Sequence, residues 1–195
     1  LDAASRLALW TDLGADRVVV DRFDGVAGTL ESNDSDGLAV APGSGPRHLA
    51  WHPSGRAVYL LTELNATVAS LSYDTVRGSL ELLQTVPARA DGASGENLAA
   101  AIDVSPDGQF LYVSNRGDDD LAVFAIDGTS LRLAPAGRVP SGGRGPRSFA
   151  LDPSGRWLVT ANQGSGSLVV FRREPATGLP AAVGAPVAVP EPVCV

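Results

Sequence analysis

Apolar residues come in short runs: Leu7–Trp10, Ala57–Leu61, Phe110–Val113 and Trp157–Thr160. Across a polar loop each is followed by a second run, namely Val18–Val20, Val68–Tyr73, Leu121–Ile126 and Leu168–Phe171. Runs this short, bounded by Gly, Pro, Asn and Asp, predict β-strands. Looser stretches such as Ser79–Val86 and Ser130–Gly137 predict one more strand closing each pair. No long apolar stripe follows the helical period, so no helix is predicted.

The pattern is a repeat in register. WHPSGRAVYL (51–60), VSPDGQFLYV (104–113) and LDPSGRWLVT (151–160) align, with LDAASRLALW (1–10) as a degenerate copy. Arg6, Arg56, Gln109 and Arg156 then correspond, at offsets of 50, 53 and 47 residues. Asp24, Asp74, Asp127 and Glu174 repeat the same offsets, always 18 residues further on. HPSG, SPDG and DPSG carry Pro second and Gly fourth, as a type I turn between strands prefers. Four short strands per repeat of this length predict an all-β propeller.

The expected units are 1–36, 46–86, 97–139 and 146–190, all in one partial propeller domain, 1–195. Leu1 falls just before a first-to-second-strand turn, so the opening blade is expected to be incomplete and to lack its inner strand. The expectation is about four four-stranded blades forming the C-terminal portion of a larger propeller. The alternative is a closed four-bladed ring with PEPVCV (190–195) supplying the missing strand; this tail is short and interrupted by proline. An open arc leaves strand edges, through which self-association is expected.

Composition narrows the function. The chain has 195 residues, 22 glycines and 14 prolines, as a turn-rich β protein should. A formal charge of −7 argues against nucleic acid as a partner. No apolar run approaches a membrane span and no signal peptide is visible, which predicts a cytoplasmic protein with no membrane partner. The single cysteine, Cys194, excludes an internal disulfide. The polar stretch Pro87–Glu96 is expected to be exposed and mobile.

In a blade, the loop into the first strand and the loop between the second and third strands lie on one face. Arg47 and His48 open a first strand, and Glu63 lies in the second-to-third loop of that unit. The repeat offsets place Arg116 and Gln163 at the position of Glu63, and Arg147 at that of Arg47. The frame recurs while these residues change from Leu13 to Glu63, Arg116 and Gln163, which marks a site at the channel mouth. Arginines bind carboxylate or phosphate through paired hydrogen bonds and can face an oxyanion. Glu63 or His48 could serve as general base on a water. The set suits hydrolysis of an activated ester such as a lactone. The plainer readings are that Arg47 and Arg147 pair with turn carboxylates such as Asp152, and that Glu63 and His48 are structural. His52 is expected to cap a turn, Asn115 and Asn162 to brace loops, and Gly14, Gly117 and Gly164 to supply positive φ. Asp118–Asp120 lacks the ligand spacing of an EF-hand and reads as a solvated loop. No metal motif is present.

DLGADRV (12–18), GSGPRHLAWHPSGR (43–56), TELNATV (62–68), SNRG (114–117) and GPRSFALDPSGRWLVTANQGSGSLVVF (145–171) resemble the seven-bladed propeller lactonase family. That family includes propeller-type 6-phosphogluconolactonases and carboxy-muconate cyclases. The resemblance implies hydrolysis of 6-phosphogluconolactone in the pentose phosphate pathway, with a small anionic sugar lactone as substrate and no cofactor. It also admits a carboxy-muconate cycloisomerase or a non-catalytic binding propeller. It implies that Arg47, Glu63 and Arg116 carry catalysis, with His48 added from position alone. Arg147, Asn115 and Gln163 are expected at the substrate. The family's histidine belongs to the stretch before DLGxD, ahead of Leu1, and a second often follows NRG, where this chain has Asp118.

Overall fold

The computed structural model describes residues 1–33 and 37–195; the expected end of the first unit at 36 lies outside the described residues. Four antiparallel sheets follow one another along the chain. The first holds β1 (Leu7–Asp12), β2 (Arg17–Asp24), β3 (Thr29–Ser32) and β4 (Leu38–Ala39). The second holds β5 (Pro46–Trp51), β6 (Ala57–Thr62), β7 (Thr67–Tyr73) and β8 (Leu80–Pro87). The third holds β9 (Leu98–Val104), β10 (Phe110–Arg116), β11 (Asp120–Ile126) and β12 (Leu133–Pro140). The fourth holds β13 (Pro146–Leu151), β14 (Trp157–Asn162), β15 (Ser167–Arg173) and β16 (Pro180–Ala188).

In the last three sheets the strands run in chain order from inner to outer edge. In the first, β3 and β4 both pair with β2, so the outer position is filled in two pieces. Among the described residues β1 has no inner partner, which makes it the counterpart of β6, β10 and β14. Residues 190–195 form no strand and do not close a four-bladed ring. The tail instead places the Val195 N–H 3.4 Å from Ser148 Oγ.

The landmarks of the repeat have physical causes. Asp2 and Asp152 accept backbone N–H bonds within the turn joining inner and second strands, and His52 Nδ1 does so from Ser54. Asp24, Asp74 and Asp127 each accept two N–H bonds from the turn leading to the outer strand. Such side-chain bonds satisfy turn amides that have no strand partner. At the opposite end each loop between second and third strands ends in a left-handed residue. These are Asp16, Ala66, Asp119 and Gly166, with φ of 50°, 49°, 54° and 61°. The expectation had placed that conformation two residues earlier, and of the glycines there only Gly117 has positive φ. Gly117 is needed for a second reason: a Cβ there would lie 2.3 Å from the Glu96 carbonyl oxygen.

The cores lie between sheets. The largest cluster joins the second to the third through Tyr59, Leu61, Val68, Leu111, Val113 and Phe124. Another joins the third to the fourth through Tyr112, Leu121, Leu158 and Phe171. Two smaller clusters join the first to the second through Leu7, Val18, Val58 and Leu60. Tyrosine hydroxyls tie these junctions together: Tyr59 donates to the Leu131 carbonyl at 3.2 Å and Tyr112 to that of Gly178 at 2.6 Å. Sheets stacked face on face around a common axis are the propeller architecture.

Candidate active site

The inner strands β5, β9 and β13 deviate at one shared position. Pro46 pairs with Thr62 but His48 with Leu61, leaving Arg47 as an extra residue. Pro146 and Ser148 bracket Arg147 in the same way. In β9 the irregularity falls at Ala100–Ala101. A bulge inserts a residue and re-aims its side chain, so Arg47 and Arg147 leave the regular alternation of their strands. Thr11 Oγ1 fixes the first bulge by donating to the Arg47 carbonyl at 2.8 Å.

Glu63 follows β6. Its N–H donates to the Gly45 carbonyl at 2.7 Å, and its carbonyl accepts from Ala99 of the next sheet at 3.2 Å. Its carboxylate is shared between two guanidiniums. Arg47 Nε stands 3.1 Å from Oε2, and Arg116 Nη2 donates to Oε1 at 2.5 Å. All three side chains are well covered, at 14–16% relative exposure. Arg47 Nη1 also donates to the Ala100 carbonyl, and Arg116 Nε to that of Leu98 at 3.3 Å. Residues 16, 53 and 69 positions apart thus meet at one point between the second and third sheets. Burial in a medium of lower dielectric strengthens such a network and fixes its geometry.

His48 lies beside it, with Arg47 Nη1 3.1 Å from both ring nitrogens. The residue is exposed, yet the surrounding protein disfavours its cation. Desolvation, followed by the charge of Arg47, holds its pKa below the usual 6.5. His48 is therefore neutral at neutral pH, with a lone pair to accept a proton. Burial also lowers the pKa of Arg47, with Glu63 opposing it, but an arginine stays charged in proteins. Arg147 is close enough to act electrostatically on both Arg47 and His48. Among the described residues Arg147 has no ion pair or side-chain hydrogen bond. Three guanidiniums, one carboxylate and a neutral imidazole leave this mouth positive in a chain whose net charge is −7.

The structure thus brings Arg47, His48, Glu63 and Arg116 together, with Arg147 at their side. The pairing of Arg47 or Arg147 with Asp152 does not occur: Asp152 is occupied by Ser154 and Trp157 of its own turn. Gln163 keeps the backbone position of Glu63, its N–H donating to the Gly145 carbonyl at 3.0 Å, but its side chain makes no hydrogen bond to the cluster. Asn115 is corrected. It is fully buried, donates to the Ala88 carbonyl and Asp120 and accepts from Asn97, so it braces the loop and cannot touch substrate. Asn162, equally buried, donates to the Ser141 carbonyl.

Nor is Asp118–Asp120 a solvated run. Asp118 accepts from Nε and Nη2 of Arg89 through both its oxygens, Asp119 accepts from the Gly145 N–H, and Asp120 pairs with Arg138. Arg89 also donates to the carbonyls of Ser94 and Gly95, pinning the connector that was expected to be mobile. Among the described residues no three His, Cys, Asp or Glu side chains gather to hold a metal ion.

Comparison with known proteins agrees with the propeller fold. Residues 1–195 match the family described as lactonase, 7-bladed β-propeller. A 6-phosphogluconolactonase of Bacillus subtilis is 40% identical over 185 residues, covering 94% of this chain and 52% of its own length. One from Pectobacterium carotovorum is 33% identical over 181 residues, covering 91% and 53%. The structure of a periplasmic gluconolactonase from Pseudomonas aeruginosa superposes with a TM-score of 0.91 at 38% identity, covering 98% of this chain and 53% of that one. The chain spans about half the length of the curated relatives it matches.

Proposed function

Because this chain belongs to the lactonase family of seven-bladed β-propellers, we propose that it hydrolyses 6-phosphogluconolactone to 6-phosphogluconate through the cluster at its channel mouth. The observation that carries this reading is the double clamp on Glu63: Arg47 and Arg116 are locked by one carboxylate, and a neutral His48 stands against Arg47. Relatives named 6-phosphogluconolactonase support the substrate.

The chemistry follows from the charges. A water attacks the lactone carbonyl carbon while a ring nitrogen of His48 takes its proton. The carbonyl oxygen becomes an oxyanion facing Arg47, which is already held in place and need not reorganise. The ring C–O bond then breaks, and the leaving alkoxide takes the proton back from the imidazolium. The products are a free hydroxyl and a carboxylic acid, which releases its proton to water and leaves as the carboxylate, with no net redox change. Glu63 orients the two guanidiniums, since both its oxygens are engaged. Arg147, free of partners among the described residues, receives the phosphate. A phosphorylated sugar does not cross membranes unaided, so this reading carries a cytoplasmic location with it. Among the described residues no helix is long and apolar enough to cross a membrane.

The test is the disappearance of freshly generated 6-phosphogluconolactone against its spontaneous hydrolysis at pH 6.5–7, where the uncatalysed reaction is slow. A rate above the blank that scales with protein supports the reading. A rate equal to the blank overturns it.

A further inference from the structure

A hollow of about 650 Å³ opens directly beside the cluster, and the proposed reaction leaves it without an occupant. Leu64, Leu98, Glu96, Asn97 and Arg116 line it, with Arg89 at its edge. Arg47, His48 and Arg147 do not. Arg116 thus belongs to both places: its Nη2 is held by Glu63, while its Nη1 makes no hydrogen bond among the described residues.

Two features mark the hollow as built. Its outer wall is residues 94–97, which Arg89 holds by two hydrogen bonds to the carbonyls of Ser94 and Gly95 while two more fix Arg89 itself to Asp118. Asn97 anchors the other end, donating to Asn115 and accepting from the Asp118 N–H. Its sides are Leu64 and Leu98, which stand 49% and 39% exposed although they flank a charged cluster. Apolar side chains converging with a few polar groups are the usual make-up of a small-molecule site.

The charges decide what fits. Arg89 is neutralised by Asp118 and Arg116 only in part by Glu63, whose single charge it shares with Arg47, while Glu96 adds a carboxylate with no ion pair among the described residues. The hollow is therefore close to neutral, whereas Arg147, without a partner among the described residues, lies outside it. We propose that this hollow is the subsite for the neutral, hydroxyl-bearing part of a sugar lactone. Hydroxyls donate to Glu96 and accept from Arg116 Nη1, and the C–H faces of the sugar rest on Leu64 and Leu98. Substrate is thereby oriented with its polyol toward Arg116 and its charged group toward Arg147. This rests on the lactonase reading for the orientation but not for the binding.

The experiment compares D-glucono-δ-lactone with its 6-phosphate in the wild type and in Glu96→Gln, Leu98→Ala and Leu98→Met. Glu96→Gln and Leu98→Ala are expected to raise KM about five- to tenfold for both lactones alike, with kcat little changed, and Leu98→Met to restore KM. Unchanged KM, or a rise for the phosphorylated lactone alone, overturns the subsite. If the wild type hydrolyses neither lactone, the reaction fails but the subsite is still tested with the neutral polyol D-glucitol by methyl NMR. Saturable shifts at Leu64 and Leu98 that Glu96→Gln weakens support it, and no shift at about 10 mM D-glucitol overturns it.

Discussion

Glu63 and Arg116 are 53 residues apart in the chain and 2.5 Å apart in space, joined across two sheets. Neither residue can be placed by its own blade alone. Glu63 fixes Arg116 from the second sheet, while the backbone of Ala99 in the third fixes the Glu63 carbonyl in return.

Breaking this relationship should lower activity more than stability. Glu63→Gln keeps the shape but removes the charge shared by Arg47 and Arg116. It is expected to lower kcat/KM for 6-phosphogluconolactone by about 10²-fold, as loss of a preorganised electrostatic element does. Initial rates measured against the blank check this, with circular dichroism confirming the fold. Unchanged activity would remove Glu63 from the site.

His48 gives the pH dependence a sign. Burial and Arg47 lower its pKa below 6.5, so the neutral base persists through neutral pH. Activity should hold as pH falls to 6.5 and drop only below it, and His48→Gln should abolish that acid limb together with most of the rate. A kcat/KM profile between pH 4.5 and 7.5 measures this. An acid limb that survives in the variant belongs to another group.

Asp107 and Arg173 form an ion pair joining the turn of the third sheet to β15 of the fourth, with Arg173 also 5.6 Å from the centre of the Phe110 ring. Burial alone would raise Asp107, but the bonds from Arg173 and Ser105 hold its pKa at about 2. A depressed carboxyl stabilises the fold above its unfolded pKa, and that stabilisation is lost as pH falls through the folded value. The window is therefore roughly pH 4 down to 2. Asp107→Asn should flatten the fall of Tm over that window; an unchanged slope would assign the acid sensitivity elsewhere.

Asn115 braces its loop as the sequence predicts, and its burial sets aside the substrate contact also expected of it. Buried with three bonded neighbours, it should cost about 2 kcal/mol when changed to alanine, because the Ala88 carbonyl loses its donor. Urea unfolding measures the loss. KM is expected to stay unchanged, which separates bracing from substrate contact.

The repeat was readable because turn chemistry is local: Asp24, Asp74 and Asp127 cap turns within three residues of themselves. The meeting of Arg47, Glu63 and Arg116 followed from register alone. What register could not show is the bulge that frees Arg47 and Arg147, since it depends on pairing with the neighbouring strand. Nor could it place the left-handed loop residue. The eye goes to Gly14 and Gly164, but Asp16 and even Ala66 adopt that conformation because the strands on either side dictate it. Arg89 carries no local signal inside a polar connector, because its partner Asp118 lies 29 residues on.

We propose that the isolated chain self-associates. β1 leaves a row of backbone donors and acceptors unpaired among the described residues, and Trp10 within it is 43% exposed. Open edges invite pairing with another strand. Sedimentation velocity should show dimers or larger species at micromolar concentration, and a lone monomer would contradict this.

Apolar contact is concentrated at the seams, and the seams are unequal. The one between the second and third sheets is broadest, and the guanidinium–carboxylate cluster straddles it. On warming, amide exchange should begin at β1–β4, whose seam is thin, and reach β6 and β10 last. The Arg47–Glu63–Arg116 contact would then outlive the frayed periphery, in molecules that have already lost Thr11 and Arg147 with the outer sheets.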